Sequence, residues 1–124
     1  MRSQLGRARG LGAAHAGLGE WRGQRLSAIA LLPLTLWFVW TVLHLSGQPR
    51  SAVAAFLGHP LNAALMLALV LSTFHHLQIG LKAVVEDYVH AEGTKLLALL
   101  LIRAAAILLT LACSIAVLKL ALAG

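Results

Sequence analysis

Three long apolar blocks, at about residues 27–45, 61–85 and 95–120, constrain this chain more than any other feature. Each approaches the roughly 20 residues that an α-helix needs to cross a hydrocarbon core. Of the 124 residues, 60% are hydrophobic and only 11% charged, and the mean hydropathy is +0.85, which is no composition for a water-soluble domain. A segment in lipid must satisfy its own backbone polar groups, so each block is predicted to be a helix. The expected fold class is an all-α membrane protein with three transmembrane helices. Residues 1–26 form a basic tail and residues 27–124 the three-helix anchor.

The net charge of +6 does not point to nucleic acid, because the bases gather in the tail and beside the helix ends, and no nucleic-acid motif accompanies them. The tail holds Arg2, Arg7, Arg9, Arg22 and Arg25 against Glu20 alone, and Gly and Ala dominate residues 10–19, so much of it is expected to be mobile. It carries no hydrophobic signal-peptide region. Lys82 and Lys95 flank the second connector, whereas Arg50 is the one base of the first and Lys119 lies near the C-terminus. The positive-inside rule then puts the N-terminus in the cytoplasm and the C-terminus across the membrane. Arg25, Asp87 and Tyr88 are expected to meet on that cytoplasmic face.

Ser27 is a candidate N-cap for the first span, and Pro33 is expected to bend it. Trp37 and Trp40 sit deeper than interfacial tryptophans usually do and read as packing residues. Gly47 and Pro49 break the chain after the span, and residues 51–57 fit a brief surface helix. His44 and His59 read as interfacial. Glu86, Asp87, Tyr88, His90 and Glu92 read as a polar connector before the third span. The lone cysteine, Cys113, excludes an internal disulfide or a thiolate metal site within this sequence and reads as a small packing residue. No phosphate loop, Ser/His/Asp arrangement or zinc spacing is present, and no internal repeat supports a transporter.

The second block carries the chemistry. Histidine is costly inside an apolar span, so His75 and His76 are functional candidates. At about 100° per residue, His76 shares a face with Ser72, Gly80, Ala83 and Asp87, a small, polar slot that a flat ligand can enter. His75 points toward Leu71, Ser72 and Ile79. The imidazole of His76 is a candidate axial haem ligand, and Gly80 would let a macrocycle approach the backbone. A histidine hydrogen-bonded between helices fits the same pattern. In the third span, Arg103 must snorkel, pair or meet a ligand.

The run HLQIGLKAVVEDYVH, residues 76–90, resembles the His-x-x-x-Gly-x-x-x-Val-x-x-Asp-Tyr motif of the succinate dehydrogenase hydrophobic membrane anchor subunit, the small membrane subunit of respiratory complex II. The run QRLSAIALLPLTLWFV, residues 24–39, resembles the opening of the first span in its alphaproteobacterial members. The resemblance implies one half of a two-subunit helical membrane domain in the bacterial inner membrane, serving electron transport and the tricarboxylic acid cycle. Its implied partners are a cytochrome b-type membrane subunit, an iron–sulfur subunit and a flavoprotein subunit. Haem b would be shared with the second membrane subunit, and ubiquinone would be the substrate. His76 falls on the haem-ligand histidine, Tyr88 on the tyrosine that hydrogen-bonds a quinone carbonyl oxygen, and Asp87 on the acid beside it. Arg25 falls on the arginine near the haem propionates and the quinone pocket. No residue is expected to be catalytic in this chain alone. Relatives often carry a histidine before the aromatic residues that precede the first span; here Glu20 precedes Trp21, and His15 lies further back. The alternatives are a structural anchor without cofactor or quinone contacts, and a small channel resting on Ser72, His75, His76, Gln78 and Arg103.

Overall fold

The computed structural model describes residues 11–123, the side chains of residues 11–18 and of Glu20 excepted. Four helices follow one another: α1 (Leu11–Leu45), α2 (Arg50–Gly58), α3 (Pro60–Tyr88) and α4 (Glu92–Ala123), with no strand among the described residues. Among the described residues, three segments are long and apolar enough to span a bilayer: Trp21–Leu45 within α1, and the whole of α3 and α4. The all-α membrane architecture with three candidate spans follows the apolar blocks.

The boundaries differ from the sequence reading in two places. Helix α1 begins at Leu11 and runs through Ser27 and Pro33 without interruption, so Ser27 is an interior residue and no N-cap. Nothing between Leu11 and Ser27 forces a break, because isolated glycines weaken a helix without ending it. Arg2, Arg7 and Arg9 lie outside the described residues. Helix α3 likewise continues to Tyr88, leaving only residues 89–91 as the connector to α4. Lys82 and Glu86, one turn apart, pair at 3.8 Å along that last stretch.

The turn after α1 needs Gly47, whose φ of 78° lies in the left-handed region, and it closes with Gln48 N–H donating to the Leu45 carbonyl at 3.0 Å. The short helix α2 exists as expected. His59 sits between α2 and α3 and caps the latter: its Nδ1 accepts from Leu61 N–H at 3.3 Å, and Pro60 occupies the first helical turn. Asn62 Nδ2 donates to the Phe56 carbonyl at 3.0 Å, fixing the corner.

Helix α3 packs on α1 along one side and on α4 along the other, while α2 lies against α4 and α3. Trp37 stacks on Phe56 with ring centroids 6.1 Å apart, so this tryptophan does pack within the chain; Trp40 stacks on His44 at 4.6 Å. Among the described residues few are buried, and two of those few are polar: Ser27, 6% exposed, and Thr41, 2% exposed. This pattern suits lipid. Leucine gains little by leaving acyl chains, so small residues with satisfied hydroxyls take the helix contacts instead. The Thr41 hydroxyl donates to the Trp37 carbonyl at 2.8 Å and that of Ser27 to the Gln24 carbonyl at 3.0 Å, so neither carries an unpaired donor.

Leu57 in α2 is the most enclosed apolar residue, 4% exposed, and Gly58 beside it would place a Cβ 3.6 Å from the Ala121 carbonyl oxygen. Leu57→Ala should therefore destabilise the docking of α2 on α4 by about 2–5 kcal/mol. A lowered unfolding midpoint of the purified complex is the expected result, and an unchanged midpoint refutes it.

Candidate functional site

The antiparallel pairing of α1 with α3 brings Ser27 opposite His76. His76 Nδ1 lies 3.1 Å from Ser27 Oγ. The hydroxyl has one proton, and that proton is committed to the Gln24 carbonyl. Ser27 Oγ is then an acceptor toward the ring, so the hydrogen-bond network assigns the His76 proton to Nδ1. Nε2 keeps its lone pair and has no hydrogen-bond partner among the described residues. An imidazole oriented through one nitrogen, with the other left as a donor of electrons, is the arrangement found in metal-ligating histidines.

Next to this pair, α1 and α3 enclose a side-open cavity of about 520 Å³ whose walls include Ser27, Ala30, Leu71, Ser72 and His75. The imidazole entering it is therefore His75, which the periodicity had set apart from the slot. Its approach depends on Gly23: a Cβ there would lie 3.1 Å from His75 Nε2. Ser72 lines the cavity as expected, while His76 is linked to it through Ser27. One turn beyond His76, a Cβ on Gly80 would meet nothing within 4 Å, so the surface there is open.

Arg25 lies two residues before Ser27 and stacks its guanidinium over Trp21, 5.2 Å from the ring centroid. Asp87 and Tyr88 lie 11 and 12 residues beyond His76 at the end of α3, about 16–18 Å along the helix. No hydrogen bond or ion pair joins Arg25 to either of them among the described residues. Along α3, therefore, one level holds His76 with Ser27 against it, and a second, nearer the connector, holds Asp87 and Tyr88. Arg25 reaches from α1 toward Trp21, in the direction of the second level. Tyr88 is 77% exposed, and its phenol has no partner among the described residues.

No group of three or more His, Cys, Asp or Glu residues converges among the described residues. A metal held through His76 would take its remaining ligands from elsewhere. The sequence reading missed the Ser27–His76 bond because it treated Ser27 as a cap. The available signal was a single hydroxyl between Leu26 and Pro33, in an otherwise apolar run.

Comparison with known proteins accords with these features. Residues 1–113 match the family described as Succinate dehydrogenase/Fumarate reductase transmembrane subunit. Similar proteins include the succinate dehydrogenase membrane anchor subunit of Reclinomonas americana, 32% identical over 95 residues, covering 74% of this chain and 79% of the relative. The succinate dehydrogenase hydrophobic membrane anchor subunit of Rickettsia bellii is 28% identical over 88 residues, covering 71% and 70% respectively. Its counterpart from Paracoccus denitrificans is 31% identical over 81 residues, covering 65% and 63%. No solved structure matches the chain. A chain with three bilayer-length helices, matched over residues 1–113, belongs to the succinate dehydrogenase/fumarate reductase transmembrane subunit family.

Proposed function

We propose that this chain is the hydrophobic membrane-anchor subunit of a succinate:ubiquinone oxidoreductase of the bacterial inner membrane, with its N-terminus in the cytoplasm. It tethers the flavoprotein and iron–sulfur subunits, pairs with a second, cytochrome b-type membrane subunit, shares a b-type haem with it, and helps to form the ubiquinone site. The observation that carries this reading is the state of His76: half-buried in a membrane span, anchored at Nδ1 by Ser27, and free at Nε2.

The residues present fit a shared haem. His76 would supply one nitrogen to the iron, the open surface at Gly80 leaves room for a flat ring one turn away, and Arg25 would offer a fixed cation to a propionate. A bound haem supplies one-electron redox chemistry at its iron. Ser27 holds the imidazole plane and its tautomer. At the other level, the Tyr88 phenol would donate a hydrogen bond to a ubiquinone carbonyl oxygen as negative charge grows there during reduction. Asp87, adjacent in sequence, would orient the phenol or pass it a proton.

The roughly 16–18 Å between the two levels supports separate haem and quinone contacts in this chain. A second reading, a purely structural anchor, draws on the same Ser27–His76 bond, because that bond also ties α1 to α3.

The test is co-expression with the three partner subunits. The purified complex should show b-type haem absorbance and reduce ubiquinone with succinate. A complex that assembles without haem and reduces quinone normally refutes the haem assignment. Ser27→Ala should weaken haem affinity by about 10–100-fold, the usual cost of losing a partner behind a metal ligand. Ser27→Thr, which keeps the hydroxyl, should restore it. Haem titration of the apo-complex reads both, and equal affinity in Ser27→Ala and wild type overturns the positioning role.

A further inference from the structure

On the other side of α3, toward the connector, α3 and α4 form a cavity of about 260 Å³ lined by Gln78, Lys82 and Arg103 together with Leu96, Leu99 and Leu100. An apolar groove of about 250 Å³ adjoins it, sharing Gln78 and Ile102 and continuing along Phe74, Leu77, Leu101 and Leu109. A polar, cationic pocket thus opens into a slot with almost no polar lining. Nothing in the haem or quinone reading uses either one.

The positions explain how the charges converge. Lys82 lies six residues before the end of α3, about 9 Å from it, and Arg103 eleven residues into α4, about 16 Å. Helical side chains lean toward the N-terminus of their helix, which in α4 is the connector end. Arg103 can therefore reach back past Leu99 and Leu100, which line the same cavity. Lys82 is drawn the same way by its pairing with Glu86 at 3.8 Å. Arg103 has no hydrogen bond or ion pair among the described residues. Lys82 and Arg103 bring two cationic side chains to this cavity, and Glu86 pairs with the first of them. A guanidinium this far inside a span is eased by snorkelling and stabilised further by an anion, and its planar fork of donors suits phosphate oxygens.

We propose that this cleft binds an anionic phospholipid of the leaflet on the connector side. Arg103, Lys82 and Gln78 hold the phosphate, and an acyl chain lies along the groove of Phe74, Leu77 and Leu101. A phosphodiester fits the donor fork of Arg103, and the adjoining apolar slot suits an amphiphile better than a free anion. This site is independent of the haem and quinone assignments.

The test uses the assembled complex, stripped of lipid in mild detergent and then offered phosphatidylglycerol or phosphatidylcholine, with bound lipid counted by native mass spectrometry. Wild type should prefer phosphatidylglycerol by about tenfold or more, a margin that one well-placed charge-assisted contact accounts for. The double variant Lys82→Gln, Arg103→Gln should lose that preference while keeping the haem spectrum of the wild type. Ala105→Phe, which fills the groove and leaves the charges in place, should also lower phosphatidylglycerol retention and serves if the double variant fails to assemble. Retention unchanged in Ala105→Phe overturns the proposal. So does displacement of the lipid by millimolar inorganic phosphate, which would indicate a simple anion site. Loss of assembly in Arg103→Gln with lipid binding intact in Ala105→Phe also overturns it, since the arginine then answers a carboxylate of a partner subunit.

Discussion

His76→Ala is expected to abolish or strongly reduce the b-type haem absorbance of the assembled complex while leaving the chain in the membrane. The variant removes the one imidazole whose second nitrogen is held by Ser27 and whose first is unpartnered, so no ligand remains at that position on this chain. His75 is the nearest substitute by sequence, but it projects about 100° around α3 from His76, and its Nε2 lies close to Gly23 of α1. Rescue from there would require the helix to rotate by about 100°. The measurement is the reduced-minus-oxidised spectrum together with the haem-to-protein ratio. The companion variant His75→Ala should keep the haem, since His75 Nε2 faces α1. Full haem content in His76→Ala with loss in His75→Ala would transfer the ligand role to the neighbouring residue. Full content in both would favour the structural anchor.

Tyr88→Phe carries the second large effect. It removes a single hydroxyl from a residue that is 77% exposed at the end of α3 and makes no bond among the described residues, so the fold itself loses nothing by it. A hydrogen bond to developing negative charge is worth about 1.5–3 kcal/mol. Succinate-dependent ubiquinone reduction should therefore fall about tenfold or more. Haem content and assembly should stay at wild-type levels, because Tyr88 stands about 18 Å along the helix from His76. Electron delivery to an artificial acceptor that bypasses the membrane subunits should also be unchanged. Normal quinone reduction in Tyr88→Phe would remove the quinone role from this chain and leave a tether.

The two variants separate the levels of the site. If each changes only its own readout, the haem-side and quinone-side functions of this chain are independent. If Arg25→Gln lowers haem retention without altering quinone reduction, the arginine serves the haem; lowered quinone reduction with haem intact would assign it to the quinone instead.

The sequence by itself determined that this chain crosses a membrane and how many helices do so, because the length and apolarity of each block answer a one-dimensional demand, the thickness of a bilayer. It also nominated His76, Asp87, Tyr88 and Arg25, since an ionisable residue in or beside such a span stands out from its background. Helix ends were less legible. No residue between Leu11 and Ser27 or between Lys82 and Tyr88 demanded a break, and helix continued through both stretches. Tertiary structure alone decided which side chains meet across helices. It set Ser27 on His76, turned His75 into the cavity against Gly23, and joined Lys82 to Arg103 in one cleft. Periodicity gives the direction of a residue on its own helix, but the partner it meets depends on the axial register between two helices. That register is set by packing contacts from residues far apart in the chain.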